Sequence, residues 1–173
     1  KHLLYERSNE MINVLFAGDI VGSRGCDFAE DTVRRLKGKE KIDIVIVNGE
    51  NSADGNGITK RSMEQIFSFA DVITTGNHCF RRKEFTEYYD IKENLLRPAN
   101  YPDGVAGHGV CVLDMGAYSF AVVNLMGTAF MEPLNNPFEC IDRLLEDIHT
   151  PNILVDFHAE ATSEKKAMGF YLA

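Results

Sequence analysis

The sequence lacks long apolar segments and anything that resembles a secretory leader. No apolar run in the 173 residues approaches the roughly 20 residues of a transmembrane helix. The first residues do not show the order of a signal peptide, in which a charged stretch precedes an apolar one. These absences favour a cytoplasmic protein without a membrane span.

Cysteine is scarce and widely spaced. The chain has four cysteines, and no two of them form a CxxC pair. This spacing indicates neither a thiolate zinc site nor a disulfide framework. We therefore expect the thiols to be reduced and mainly structural, at Cys26, Cys79, Cys111 and Cys140.

Positive charge is also limited. Lys and Arg number 18 against 26 Asp and Glu, which leaves a formal net charge of -8. Tight, sequence-independent binding to a polyanion needs clustered basic residues. Stable DNA binding is therefore not expected, and a small substrate fits better. Bound divalent cations are the exception, because they reverse the local sign of the charge.

What is present is typical of one α/β domain. The chain is 45% hydrophobic and 25% charged, within the normal range for a domain with a real core. Residues 1–10 are interpreted as a leader or frayed segment, and the domain is expected at 11–173. Strands are predicted at 12–17, 42–47, 72–75, 110–113, 118–125 and 152–155, and helices at 28–36, after Thr59, after Asn136 and near Ser163.

Two of these helices carry capping signals. Thr59 can cap the first, whose predicted buried face is Met63, Ile66, Phe67 and Ala70. Asn136 can cap the second, with Pro137 at the first helical position. Its predicted buried stripe is Ile141, Leu144, Leu145 and Ile148.

Four polar clusters follow predicted strands. They lie at 18–19, 49–51, 76–78 and 156–158. In open α/β sheets the carboxyl ends of parallel strands share one edge, where ligands bind. Taken singly, each cluster is better explained as a turn, a helix cap or a structural histidine. Four clusters in the same structural position favour a shared site instead.

The residue types in these clusters indicate metal chemistry. Carboxylate, amide and imidazole groups suit Mn²⁺, Fe²⁺ or Zn²⁺ better than a thiolate-preferring metal. The accompanying glycines let the chain turn sharply away from a strand and approach an ion closely. The side chains that make up this set are Asp19, Glu50, Asn51, Asn77, His78 and His158.

Six motifs are distributed along the chain: GDIVGSRG at 18–25, NGENSADGNGIT at 48–59, TTGNH at 74–78, LRPAN at 96–100, NLMG at 124–127 and DFHAEATSEK at 156–165. Together they resemble the calcineurin-like metallophosphoesterases, in the bacterial YmdB-like branch similar to 2′,3′-cyclic-nucleotide 2′-phosphodiesterases. GNH alone would mark only the superfamily, whereas the combination is specific. The resemblance runs from about Met11 to Tyr171.

The resemblance implies a fold and a set of roles. The fold would be the metallophosphoesterase αββα sandwich, incomplete at its C-terminal side. Asp19 and Asn51 would bind one metal, Asn77 and His158 a second, and Glu50 would bridge them. The ions would be Fe or Mn in the first place, with Zn or Mg as alternatives. The implied activity is hydrolysis of 2′,3′-cyclic nucleotides or similar phosphodiesters by a hydroxide that bridges the two ions.

The role of His78 and those of two arginines remain open. The resemblance implies that His78 is the general acid, and the alternative is a hydrogen bond to a neighbouring loop. The residues at 79–81 are Cys-Phe-Arg, where the family pattern has Thr-Trp-Asp. Arg81 can strengthen phosphate binding or point into solvent. Arg97 can contact substrate, although a structural role in its loop is favoured.

The family pattern also includes a segment that is not found in this chain. Members continue beyond the position of Tyr171 with a Gly-Thr-His-Thr-His stretch, whose two histidines complete one metal site each. No two of the five histidines here have HxH spacing. Each ion would therefore lack one nitrogen ligand, and an unpaired sheet edge would promote association.

Two other hypotheses compete with the phosphodiesterase. One is a catalytically inactive remnant that acts through association with other chains, and a homo-oligomer is expected in either case. The other is a nucleotide-binding Rossmann-like domain, suggested by Gly18, Gly22 and Gly25. Their spacing matches neither GxGxxG nor the P-loop pattern, so this hypothesis is weak.

Overall fold

The computed structural model describes residues 11–173, so the leader predicted at 1–10 lies outside the described residues. Strands and helices alternate along the chain, as the sequence predicts. The elements are β1 Val14–Ala17, α1 Gly22–Lys37, β2 Ile44–Asn48, α2 Lys60–Phe67, β3 Val72–Thr74, a 3₁₀ turn Lys83–Phe85, α3 Tyr88–Ile91, β4 Val110–Asp114, β5 Ser119–Met126, α4 Pro137–Asp147, β6 Ile153–His158 and α5 Thr162–Leu172.

The first sheet is parallel throughout, in the order β1-β2-β3. Val14 pairs with Ile44 and Ile46 with Val72. The carboxyl ends of all three strands therefore point to the same edge. This arrangement brings the turns after β1, β2 and β3 together, as the polar clusters require.

The second sheet has the order β4-β5-β6 and is mixed. β4 and β5 form the predicted antiparallel pair, in which Val112 lies opposite Ala121. β5 and β6 are parallel, and Met126 pairs with His158 at their carboxyl ends. His158 is thus carried by a strand that leads toward the site.

Alternation of side chains along β2 and β5 produces three apolar layers. Val45 and Val47 face α1 and α2, whereas Ile44 and Ile46 face the second sheet. On β5, Val122 packs between the sheets, and its neighbours Val123 and Leu125 pack against α4 and α5. A period of two thus buries both faces of each central strand. The result is an αββα sandwich, which confirms the predicted fold.

Both predicted helix caps are present. Thr59 Oγ1 accepts a hydrogen bond from Ser62 N at 3.3 Å, and Ser62 Oγ accepts one from Thr59 N at 3.1 Å. Asn136 Oδ1 accepts from Phe138 N at 3.0 Å, and Pro137 occupies the first turn of α4. Capping depends on neighbours within three residues, so the sequence alone reveals it.

Two element boundaries and one buried position differ from the prediction. α1 begins at Gly22 instead of residue 28, because the glycine-rich stretch enters the helix directly. β6 continues to His158, so the 156–158 cluster lies in the strand and not after it. Leu145 was predicted in the buried stripe of α4 but is 36% exposed, since Cys140 and Ile141 supply the buried face.

None of the helices formed by residues 11–173 is long and apolar enough to cross a membrane.

Candidate functional site

A cavity of about 760 Å³ lies at the shared carboxyl edge of the two sheets. Its walls come from the turns after β1, β2 and β3, from the end of β6 and from the loop after β5. The six residues singled out by the sequence all line it: Asp19, Glu50, Asn51, Asn77, His78 and His158. The structure therefore brings together side chains that are up to 139 positions apart (158 minus 19).

Asp19, Asn51 and His78 form one half of the cluster. Asn51 Nδ2 donates to Asp19 Oδ1 at 2.6 Å, and Asn51 Oδ1 lies 2.7 Å from His78 Nδ1. Because an amide oxygen only accepts, this arrangement requires the proton of His78 on Nδ1. The Nε2 atom of His78 is then the ring nitrogen left for other chemistry.

Glu50, Asn77 and His158 form the other half. His158 Nε2 lies 3.0 Å from Asn77 Oδ1 and 3.3 Å from Glu50 Oε1. Glu50 is only 2% exposed, and its second oxygen accepts from the backbone N–H of His78 at 2.9 Å. The two carboxylate oxygens of Glu50 therefore face the two halves of the cluster.

Backbone conformation shapes both halves. Asp19 has a φ of 51°, in the left-handed region that non-glycine residues seldom adopt. Such strain concentrates at functional sites. At Gly76, a Cβ atom would overlap the imidazole ring of His158. Glycine at this position is therefore what allows His158 to approach Asn77 and Glu50.

The donor set fits divalent cations. Two ligand atoms about 2.0–2.2 Å from one ion and at right angles lie about 3 Å apart. The Asn77 Oδ1–His158 Nε2 and Glu50 Oε1–His158 Nε2 separations are 3.0 and 3.3 Å. Within residues 11–173, no three His, Cys, Asp or Glu side chains form by themselves a group that could hold a metal ion. The amide groups of Asn51 and Asn77 are therefore needed as part of the donor set.

Asp156 is a further acidic group in the cavity wall. Its Oδ2 atom is buried and has no hydrogen-bond partner within the described part of the chain. Burial raises the pKa of this carboxyl. A buried carboxylate beside Glu50 is stabilised by a cation, which again agrees with the donor chemistry.

Some cavity residues were missed from the sequence. Asp156 and Lys165 belong to the DFHAEATSEK motif, but nothing local separates them from turn and helix residues. Phe130 gave no signal, since a lone aromatic residue is normally expected in the core. Membership of this motif is the one feature of the sequence that distinguishes Asp156 and Lys165.

The two arginines whose roles were left open, Arg97 and Arg81, have different surroundings in the structure. The Arg97 guanidinium is buried and donates to the backbone carbonyls of Pro98 at 2.8 Å and Gly107 at 3.0 Å. It also reaches the carbonyls of Ala99, Val105 and Ala106. The favoured structural role of Arg97 is confirmed. Arg81 is half-exposed and lies 3.9 Å from Glu132, which lines the cavity.

The cysteine prediction is also confirmed. All four thiols are free and buried. Burial is the main cause that raises the pKa of Cys79 to about 12 and that of Cys111 to about 12. Thiols of this kind are protonated at neutral pH and are poor nucleophiles or metal ligands.

Comparison with known proteins identifies the family of this chain. The family described as YmdB-like protein matches residues 15–173. The chain is 44% identical over 163 residues to a 2′,3′-cyclic-nucleotide 2′-phosphodiesterase of Bacillus subtilis. That match covers 92% of this chain and 62% of the relative, so the chain spans less than two thirds of the curated protein.

Two solved structures share the fold closely. A hypothetical protein from Thermus thermophilus has a TM-score of 0.86 at 39% identity, covering 92% of this chain and 62% of that one. A novel phosphatase of Mycoplasma pneumoniae has a TM-score of 0.88 at 31% identity, covering 94% and 60%. Because the family match extends from β1 to the end of α5 and includes every residue of the polar cluster, this chain belongs to the YmdB-like protein family.

Proposed function

We propose that the cavity is the active site of a metal-dependent phosphodiesterase that acts on 2′,3′-cyclic nucleotides or similar small phosphodiesters. The observation that carries the proposal is the convergence of six polar side chains on one cavity at the strand ends. The printed name of the Bacillus subtilis relative supports the substrate class. The acidic net charge of -8 also favours a small substrate over a polynucleotide.

Five residues would hold two divalent ions, with Fe or Mn preferred. Asp19 and Asn51 would hold one, and Asn77 and His158 the other. Glu50 would contact both, which agrees with the opposite directions of its two oxygens. When bound, such ions supply Lewis acidity and lower the pKa of water to about 7.

His78 would act as the general acid. Its Nδ1–H is held by Asn51 Oδ1, which fixes the plane of the ring and leaves Nε2 as the proton donor to the leaving oxygen. In that donor state both ring nitrogens carry protons. A positioned acid of this kind contributes roughly 10²–10⁴ in rate.

Lys165 would bind the phosphate. It lies in the first turns of α5 and lines the same cavity as His158. An ammonium group is a compact point charge that suits a phosphodiester anion. Lys165 would therefore contribute to substrate affinity and not to proton transfer.

The test is hydrolysis with Mn²⁺ or Fe²⁺ of adenosine 2′,3′-cyclic phosphate and of bis(p-nitrophenyl) phosphate. This chain and the protein at its full natural length are assayed side by side, with metal content measured by mass spectrometry. We expect turnover that a chelator abolishes. Absence of turnover by the full-length protein with either ion would rule the proposal out.

His78→Asn is the matched test of the acid. We expect kcat to fall by about 10²–10⁴ while metal content stays the same. His149→Asn is the control, because His149 does not line the cavity. A His78 variant with unchanged kcat would contradict the assignment.

A second candidate is an inactive domain that acts by association with other chains, as a homo-oligomer. It is favoured by one observation: across residues 11–173, no three His, Cys, Asp or Glu side chains form a group that could hold a metal ion without amide ligands. Metal analysis separates the two candidates. Two tightly held ions per chain would exclude the inactive domain, and light scattering would report the oligomer.

A further inference from the structure

One loop at the cavity rim presents an aromatic ring to solvent. The loop comprises residues 127–132, directly after β5, and we call it the Phe130 loop. Phe130 is 91% exposed and lines the cavity that holds the polar cluster. Its ring joins none of the three apolar clusters formed within 11–173. Burial in the core therefore does not explain the residue.

The backbone at this position is strained. Phe130 has a φ of 63°, in the left-handed region, where a bulky residue is an outlier. Such a conformation persists only where the surroundings enforce it. The energetic cost and the solvent-exposed ring point to a function for the side chain at this place.

Glu164 holds the first part of the loop. Its carboxylate accepts hydrogen bonds from Thr128 N at 2.9 Å and from Ala129 N at 3.2 Å. A Cβ atom on Gly127 would overlap this carboxylate, so glycine is needed for the contact. The backbone N–H of Gly127 donates to the His158 carbonyl at 2.8 Å, which ties the loop to the end of β6.

The last part of the loop is attached to the opposite wall. Glu132 lies 3.9 Å from Arg81, which follows His78 in the chain. The loop is therefore connected to the segments that carry both cavity histidines. These contacts on both sides of Phe130 restrict where the loop can place the ring.

We infer that Phe130 is the stacking platform for the nucleobase of the substrate. This inference rests on the proposed function, since it assigns a subsite of the same cavity. A nucleotide phosphodiester has one anionic group and one planar apolar group, and the cavity has a polar floor and an aromatic rim. Stacking on an aromatic ring is tolerant of base identity. The enzyme therefore discriminates nucleotides from base-free phosphodiesters.

The kinetic test compares two substrates in the full-length protein loaded with Mn²⁺. One is adenosine 2′,3′-cyclic phosphate, and the other is the cyclic phosphate of methyl riboside, which has no base. Phe130→Ala is expected to lower kcat/KM for the nucleotide by about 5-fold to 150-fold more than for the base-free substrate. The change is expected mainly in KM, and Phe130→Trp restores discrimination.

The control is Phe28→Ala. Phe28 is also largely exposed, at 72%, but it lies on α1 outside the cavity. This variant is expected to treat both substrates as the parent does. Equal losses on the two substrates in Phe130→Ala would overturn the inference. So would an unchanged substrate ratio together with a lower mass by light scattering, which would mark Phe130 as a contact between copies.

A binding test separates this inference from the proposed function. The chain contains no tryptophan, so Phe130→Trp places a fluorophore at the rim. Adenosine 3′-monophosphate is expected to quench this fluorescence, whereas ribose 5-phosphate and a Phe28→Trp control show no change. Quenching without hydrolysis by the parent would retain the base subsite and reject the phosphodiesterase. Hydrolysis without quenching would retain the phosphodiesterase and reject the base subsite.

Discussion

The two sheets contribute unequally to the site. The turns of the first sheet supply Asp19, Glu50 and Asn51 together with the 76–78 turn, whereas the second supplies His158. β2 is completely buried along its length, but β6 is only partly buried. The buried central strand thus leads directly to Glu50, and the more exposed strand positions His158 through its contacts with Asn77 and Glu50. Substitutions in the two sheets should therefore have different consequences.

The largest effect is expected for Glu50→Gln. Because its oxygens face both halves of the cluster, this change should empty both metal sites, whereas His158→Asn should leave about one ion per chain. Even outer partners of metal ligands contribute about 10–100-fold, so Glu50→Gln should lower activity by more than about 100-fold. Metal counting and kinetics check this, and equal metal content in the two variants would contradict it.

Gly76→Ala tests how the second sheet positions His158. The added Cβ would overlap the His158 ring, and such overpacking costs about 1–3 kcal/mol. Gly169→Ala is the matched control, because a Cβ there meets no atom within 4 Å. Because Gly169 lies in a helix, its replacement by Ala should raise the free energy of unfolding by up to about 1 kcal/mol. Urea denaturation measures the change in unfolding free energy of each variant. A change of the same sign in both variants would refute the explanation.

Arg97→Lys tests the connection between the sheets. The guanidinium joins the carbonyls at 98–99 to those at 105–107, in the segment that leads from β3 to β4. Lysine has fewer donors and no planar fork, so a loss of about 1.5–3 kcal/mol of unfolding free energy is expected. Arg34→Lys, in an exposed pair with Glu30, should change stability by less than about 0.5 kcal/mol. Thermal or urea unfolding of the two variants measures the difference, and equal losses would contradict it.

The effect that is smallest at neutral pH concerns Cys111 in the second sheet. Burial raises the pKa of its thiol from 9.0 to about 12. The unfolded thiol therefore ionises first, so its contribution to stability is complete below pH 9.0 and is lost as the pH rises toward about 12. As the pH rises over this interval, the unfolding free energy of Cys111→Ala should fall less steeply than that of the parent protein. Identical slopes in the variant and the parent would contradict the assignment.

Much of the fold and most of the polar cluster could be predicted from the sequence. Strand positions, the β4–β5 pair and the caps at Thr59 and Asn136 depend on local patterns, which are visible in neighbouring residues. The exposure of Phe130 could not be predicted, because its loop is held by contacts of Thr128 with Glu164 and of Gly127 with His158, which are distant in sequence. The prediction for Leu145 was wrong for the same reason, since only packing decides which part of a helix is covered.

The sequence by itself determined which residue types end the strands, and these types are the basis of the metal prediction. Only the tertiary structure decided that Glu50 contacts both the backbone of His78 and the ring of His158, and that Gly76 makes room for that ring. The physical reason is range: strand alternation and capping act over a few residues, whereas the spacing of ligand atoms is set by how the two sheets pack together.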